Sequence, residues 1–203
     1  MSLRNTCFLL FAIAYSASLS AQNLESSGFP GHFGLKAGAS VTRVAISGGT
    51  ETTVPKNKID FNLGVMYRLR YNRLVFQPEL LFNLKGGSYQ IVRPAGRETV
   101  KNNFNYLTVP VLFGYIPTEG LTIQAGPAFS YALNDPATGG PGIPSDIGAV
   151  VGAHYDFLDL LAQYSLHVRY IYGFNNVTNV PGTDFRNREL QVSVVYNLYK
   201  KKK

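Results

Sequence analysis

The stretch Lys58-Ile59-Asp60-Phe61-Asn62-Leu63-Gly64-Val65-Met66-Tyr67-Arg68-Leu69 decides the fold of this chain. Every second residue, from Ile59 through Phe61, Leu63, Val65 and Tyr67 to Leu69, is apolar, while Asp60, Asn62, Gly64 and Arg68 stand between them. A β-strand turns successive side chains to opposite faces, so this segment has one greasy face and one wet face. The alternation recurs seven more times. Its apolar positions run from Leu35 to Val41, Leu74 to Leu84, Leu107 to Tyr115, Leu121 to Leu133, Ile147 to Phe157, Ala162 to Tyr172, and Leu190 to Leu198.

The two faces differ in kind. The apolar one carries bulky Leu, Phe, Tyr and Val on nearly every segment. The other carries Lys36, Ser40, Thr42, Asp60, Asn62, Arg68, Gln77, Glu79, Asn83 and Lys85, then Thr108, Gln124, His154, Asp156, Ser165, His167, Arg169 and Gln191, with interspersed glycines. A water-soluble barrel would need the bulky set inside and the charged set outside. A narrow interior filled by small and paired polar side chains, with lipid around it, explains both sets. The expected fold is therefore all-β: an eight-stranded antiparallel up-and-down transmembrane β-barrel.

The N-terminus fits export. Arg4 precedes the apolar run Phe8-Leu9-Leu10-Phe11-Ala12-Ile13-Ala14, and small residues follow up to Ala21. This pattern reads as a Sec-type signal peptide over residues 1–21, cleaved near Ala21–Gln22, although Leu19 is a poor residue three positions before the cut. The run is too short to span a bilayer as a helix, and no later run reaches that length. Cys7, the only cysteine, lies before the apolar core, which argues against a lipoprotein anchor and leaves the mature chain without thiols. The barrel domain is expected over 22–199, with a basic tail at 200–203. The net charge of +7 includes that tail, charged residues are only 15% of the chain, and no nucleic-acid motif appears. The address these features imply is the outer membrane of a Gram-negative cell.

Connections alternate in length. Long ones lie at 47–57, 86–103, 134–145 and 175–188; short ones lie at 70–72, 117–120 and 158–160. Barrels show this pattern when one end faces outward and the other the periplasm. With the N-terminus periplasmic, all four long connections are extracellular. Tyr67, Tyr71, Tyr115, Tyr155 and Phe157 gather at the short-turn end. Phe61, Phe129, Tyr131, Tyr172 and Phe174 gather toward the other, as two interfacial girdles would. Pro78, Pro110 and Pro127 fall inside strands, where each removes a ladder donor and calls for a bulge or local opening.

Several motifs carry a family resemblance. Phe33-Gly34-Leu35-Lys36-Ala37-Gly38, Phe76-Gln77-Pro78-Glu79-Leu80-Leu81, Tyr106-Leu107-Thr108-Val109-Pro110, Ala125-Gly126-Pro127 and the Asn187 segment resemble, in this order, the PorT-like outer-membrane β-barrel family of Bacteroidetes. The resemblance covers about the whole mature chain and implies an eight-stranded outer-membrane barrel in which the in-strand prolines are family features. It carries no activity over. One departure is that Tyr199 is followed by four lysines, whereas such barrels commonly end on an aromatic residue read by the barrel-assembly machinery.

The inward face supplies the candidate site. Asp60, Arg68, Glu79, Lys85, Asp156, His167 and Arg169 are expected to form an interior polar network, because buried charges must be paired. Its functional alternative is a narrow channel for small solutes. Ser165 and His167, two apart with carboxylates near, raise lipid-modifying acyl chemistry, but such a site should open toward lipid and this pair points inward. His154, His167 and Asp156 raise a metal site, against which hydrogen-bonded filling is the plainer account. The glycine pairs lack a phosphate-loop context, and no cofactor is implied. On the long connections, Arg93, Arg97, Lys101, Arg186 and Arg188 are candidates to meet lipopolysaccharide phosphates, against which ordinary solvated loop charge is the plainer account. The sequence thus reads as a non-enzymatic outer-membrane barrel, integral to the outer membrane, whose extracellular loops serve surface interaction or envelope assembly.

Overall fold

The computed structural model describes residues 31–48, 53–85, 88–93, 96–101, 103–134, 141–157, 161, 163–177 and 182–198. The signal segment, Cys7, Tyr199, the lysine tail and the short turn at 158–160 lie outside the described residues.

Eleven strands form. They are β1 (Gly31–Gly48), β2 (Thr53–Lys56), β3 (Lys58–Tyr71), β4 (Leu74–Lys85), β5 (Ser88–Arg93), β6 (Gly96–Lys101), β7 (Phe104–Thr118), β8 (Leu121–Ala132), β9 (Ser145–Asp156), β10 (Tyr164–Gly173) and β11 (Thr183–Leu198). Eight of them close a barrel in the order β1-β11-β10-β9-β8-β7-β4-β3, and β2, β5 and β6 form a separate three-stranded sheet. Every barrel neighbour is antiparallel, and β1 closes the ring by pairing with both β3 and β11. The expected fold is thus present.

The alternation sets the faces as expected. Ile59, Phe61 and Leu63 stand 71%, 64% and 62% exposed on the outside of β3, while Asp60 and Asn62 between them are buried. Such a belt would aggregate in water and is satisfied by lipid. Inside, the filling is mostly polar, with an apolar cluster of Leu112, Ala128, Val150 and Ile171 that the alternation did not single out.

The prolines act by opening seams, not by bulging them. Ladder pairing skips two residue pairs between β3 and β4 at Gln77 and Pro78, two between β4 and β7 at Val109 and Pro110, and two between β7 and β8 at Gly126 and Pro127, and resumes each time in unchanged register. Each gap holds one proline, so each missing amide costs one seam only. The register shift recorded between β7 and β8 lies elsewhere, between Tyr115 and Thr118. Two interior glycines mark close backbone approach: a Cβ on Gly64 would lie 2.1 Å from the Leu80 carbonyl oxygen, and one on Gly126 would lie 2.0 Å from that of Val111.

The short-turn end is tight. Asn72, at φ 53°, turns β3 into β4, and Gly120, at φ 81°, turns β7 into β8. Asn and Gly tolerate the left-handed region that these turns need. The opposite end is more ordered than the sequence indicates. The connection read at 47–57 contains β2, and that read at 86–103 contains the β5–β6 hairpin. β11 begins at Thr183, well before Leu190. Its pairing with β1 reaches Gly48↔Thr183, beyond the last β1–β3 pair (Thr42↔Lys58) and the last β10–β11 pair (Tyr172↔Arg188). A two-stranded extension therefore rises above the barrel at this end.

Candidate functional site

The inward side chains cross the lumen at successive levels. At mid-barrel Glu79 on β4 is the hub. It accepts from Lys36 on β1 (Nζ to Oε2, 3.0 Å), from Arg169 on β10 (Nη1 to Oε2, 2.7 Å) and from Gln77 (Nε2 to Oε1, 2.7 Å). β4 and β10 stand four places apart in the ring of eight, so the Arg169–Glu79 pair spans opposite walls. Both side chains are fully buried. Lys36 also reaches His167 Nδ1 at 2.8 Å, and Gln124 on β8 donates to Gln77 at 3.0 Å.

Toward the long-connection end, Arg169 donates from Nε to Gln191 (2.5 Å), and Gln191 donates to Glu189. Glu189 faces Lys85 at 3.6 Å, and Lys85 donates to Ser130 at 3.1 Å. Asp60 forms a separate rim group with Thr42 (2.6 Å) and Lys58.

Toward the short-turn end, Arg68 on β3 pairs with Asp156 on β9 at 3.4 Å, again across opposite walls, and donates to Thr122 at 2.5 Å. Asp156 also accepts from Ser165 (2.6 Å) and meets His154 Nε2 at 3.0 Å. Asn197 donates to Ser165 at 2.6 Å.

All seven interior residues named from sequence face the lumen, and their hydrogen bonds and ion pairs gather them at successive levels. Glu79, Arg169, His167 and Lys85 share a connected set, Arg68 pairs with Asp156, and Asp60 pairs with Lys58. Lys36 and Glu189 are essential members that sequence reasoning did not single out. Lys36 was visible on the wet face of its strand. Glu189 falls between the connection read at 175–188 and the apolar alternation from Leu190, so neither pattern includes it, although β11 begins at Thr183.

Two chemical readings fail on geometry. Ser165 bonds Asp156 and Asn197 while His167 bonds Lys36, so these two do not form a Ser–His nucleophile pair. The His154 and His167 rings lie 5.2 Å apart, but the Lys36 ammonium occupies His167 Nδ1. Among the described residues no group of three or more His, Cys, Asp and Glu is placed to hold a metal.

The long-connection residues divide. Arg93 lies on β5, and Arg97 and Lys101 lie on β6, in the small sheet. Arg186 and Arg188 are not loop residues; they sit in β11, paired with Ala45 and Arg43 of β1. Arg186 pairs with Asp184 at 3.3 Å. The Arg188 guanidinium lies 3.4 Å from the centre of the Tyr172 ring and donates to the Gly173 carbonyl at 2.7 Å.

A closed eight-strand ring with an apolar exterior and a polar, ion-paired interior defines a transmembrane β-barrel. Residues 21–179 match the outer membrane protein beta-barrel domain family, and the chain belongs to it. It is an outer-membrane protein. No curated relative matches the chain. Similar solved structures include Ail, the attachment invasion locus protein of Yersinia pestis, crystallised with the heparin analogue sucrose octasulfate (15% identity, 83% of this chain and 99% of that one, TM-score 0.48). Others are OprG from Pseudomonas aeruginosa (12%, 85% and 98%, 0.48) and Neisserial surface protein A (15%, 82% and 97%, 0.41).

Proposed function

We propose that this protein is a non-enzymatic, non-conducting outer-membrane barrel. Its lumen is structural filling, and its long-connection end presents a surface to partners outside the cell or in the envelope. The observation that carries the reading is the pair of ion bridges, Arg169–Glu79 and Arg68–Asp156, each joining opposite walls at its own level. A solute path would have to break both. The β2–β5–β6 sheet and the β1–β11 extension support the second half of the reading, since ordered structure above a plugged barrel is the part free to vary in function.

Within this reading the chain is a PorT-like member of the Bacteroidetes, exported by the signal peptide at 1–21 and inserted by the barrel-assembly machinery. The long-connection end faces outward, where Arg93, Arg97, Lys101, Arg186 and Arg188 make it basic toward lipopolysaccharide. Single-channel recording of the purified protein in planar bilayers tests the lumen. A silent baseline is expected, and sustained unitary openings overturn the proposal in favour of a narrow channel. Lipid A mass spectra with and without the gene test the absence of acyl chemistry; an altered profile refutes it.

A further inference from the structure

We propose that the outer face of β8–β11 and the adjoining β1 holds one phosphorylated outer-leaflet glycolipid, with an acyl chain in a groove and a phosphate on Arg43 and Arg188. The groove has a volume of about 480 Å³ and an almost wholly apolar lining. It exists because Ala125, Pro127 and Ala149 are small where their outward neighbours are large. Tyr170, Tyr172 and Phe174 form one wall. Pro127 pairs with Ala149 and Ala149 with Tyr172, so the floor runs straight across β8 and β9 into that wall. At this depth the surrounding medium is hydrocarbon, and a lipid chain is the occupant the bilayer supplies.

The headgroup chemistry comes from the next strands in the same row. Tyr172 pairs with Arg188, and Arg188 with Arg43. Both arginines fall on the outward face, one step beyond the last bulky outward apolar residues of their strands, Val41 and Leu190. They therefore stand at the edge of the lipid band. Like charges directly opposite in a sheet repel. Among the described residues neither arginine has a carboxylate partner, whereas Arg186, one step further out, is matched by Asp184. An anion between Arg43 and Arg188 removes that repulsion, and two guanidinium groups suit a phosphate. Arg188 over the Tyr172 ring joins the cationic end to the groove wall.

The assignment rests on the outward orientation proposed above, so the two are tested separately. Full-length protein in detergent is presented with bis-phosphorylated lipid A or with phosphatidylethanolamine, and bound lipid is counted by native mass spectrometry. One lipid A is expected to bind in preference to phosphatidylethanolamine. Arg43→Gln with Arg188→Gln is expected to weaken it at least about tenfold, the loss of one or two charge-assisted hydrogen bonds. Ala149→Phe, which fills the groove without touching charge, is expected to weaken it comparably, and Ala37→Phe, an outward change on β1, to leave it unchanged. Heat-modifiable gel migration confirms that each variant is folded, and Ala149→Leu replaces Ala149→Phe if that variant is not. Equal binding of both lipids, or full retention by both sets of variants, overturns the site. Orientation is read from Ser47→Cys at the tip of β1: an impermeant maleimide labels it in intact cells if that end faces outward, and absence of labelling removes the orientation while leaving the in vitro binding result standing.

Discussion

Replacing Glu79 by Gln removes one charge and leaves the size of the side chain unchanged, so its cost measures whether the lumen is dry. Glu79 is buried and faces two cations at 2.7 and 3.0 Å. At an effective dielectric of about 20 each pair attracts by roughly 6 kcal/mol. Desolvation of the three groups cancels much of this, and removing one partner of a buried pair costs about 3–5 kcal/mol because the other is left uncompensated. Lys36 keeps His167 and Arg169 keeps Gln191, which places the expected loss at the lower end, about 3 kcal/mol. If water filled the lumen, the same pairs would behave as exposed ones, worth about 0–1 kcal/mol. Urea titration of the protein folded into phospholipid vesicles separates these cases. The chain has no tryptophan, so far-ultraviolet circular dichroism or the fluorescence of its tyrosines follows unfolding. The triple change Lys36→Met, Glu79→Met, Arg169→Met removes all three charges together and is expected to recover most of the loss, since apolar replacement of a whole buried ion group is often neutral. A Glu79→Gln loss below about 1 kcal/mol would refute the dry lumen and the argument built on it.

Removing both crossing pairs with Glu79→Ala, Arg169→Ala, Arg68→Ala and Asp156→Ala is expected to produce unitary conductance steps in planar bilayers where the parent is silent; continued silence in a folded variant would show that other side chains close the path. Gly64→Ala puts a Cβ 2.1 Å from the Leu80 carbonyl oxygen and is expected to cost about 1–3 kcal/mol in the urea titration. At the φ 53° turn, Asn72→Ala is expected to lose about 1 kcal/mol and Asn72→Gly to lose nothing measurable, so equal losses would count against backbone strain as the cause.

The barrel was legible because lipid imposes a rule on every strand that crosses it. Ile59 to Leu69 alternates because one face must be greasy and the other must not. Above the bilayer that rule lapses. In β11 the outward positions Asp184, Arg186 and Arg188 are polar, so the run Asp184-Phe185-Arg186-Asn187-Arg188 reads as a connection although it is a strand. Glu189 stands between that run and the alternation from Leu190, so neither pattern includes it. The same reasoning covers β2, β5 and β6, which form a sheet outside the ring. The inward residue set was readable too, but not its pairing. Whether Glu79 meets Arg169 or Arg68 depends on how eight strands stagger around the ring, and no single strand's pattern contains that stagger.

The prolines join the wall to the lumen. The three ladder gaps lie on adjoining seams of β3, β4, β7 and β8, and the β4–β7 gap contains Glu79 itself. A missing backbone bond is costly in a bilayer, where no water replaces it. The wall is therefore weakest around the residue that ties it to the opposite side. Lys36, Arg169 and Gln77 converge on Glu79 from β1, β10 and β4 at the point where hydrogen bonding between strands is thinnest. On the proposed reading, Lys36 and Arg169 hold this part of the wall from β1 and β10, and opening the lumen is expected to loosen the ring with it. The proposed function then leaves variation to the outer lipid-facing surface and to the structured end above the bilayer, neither of which shares that constraint.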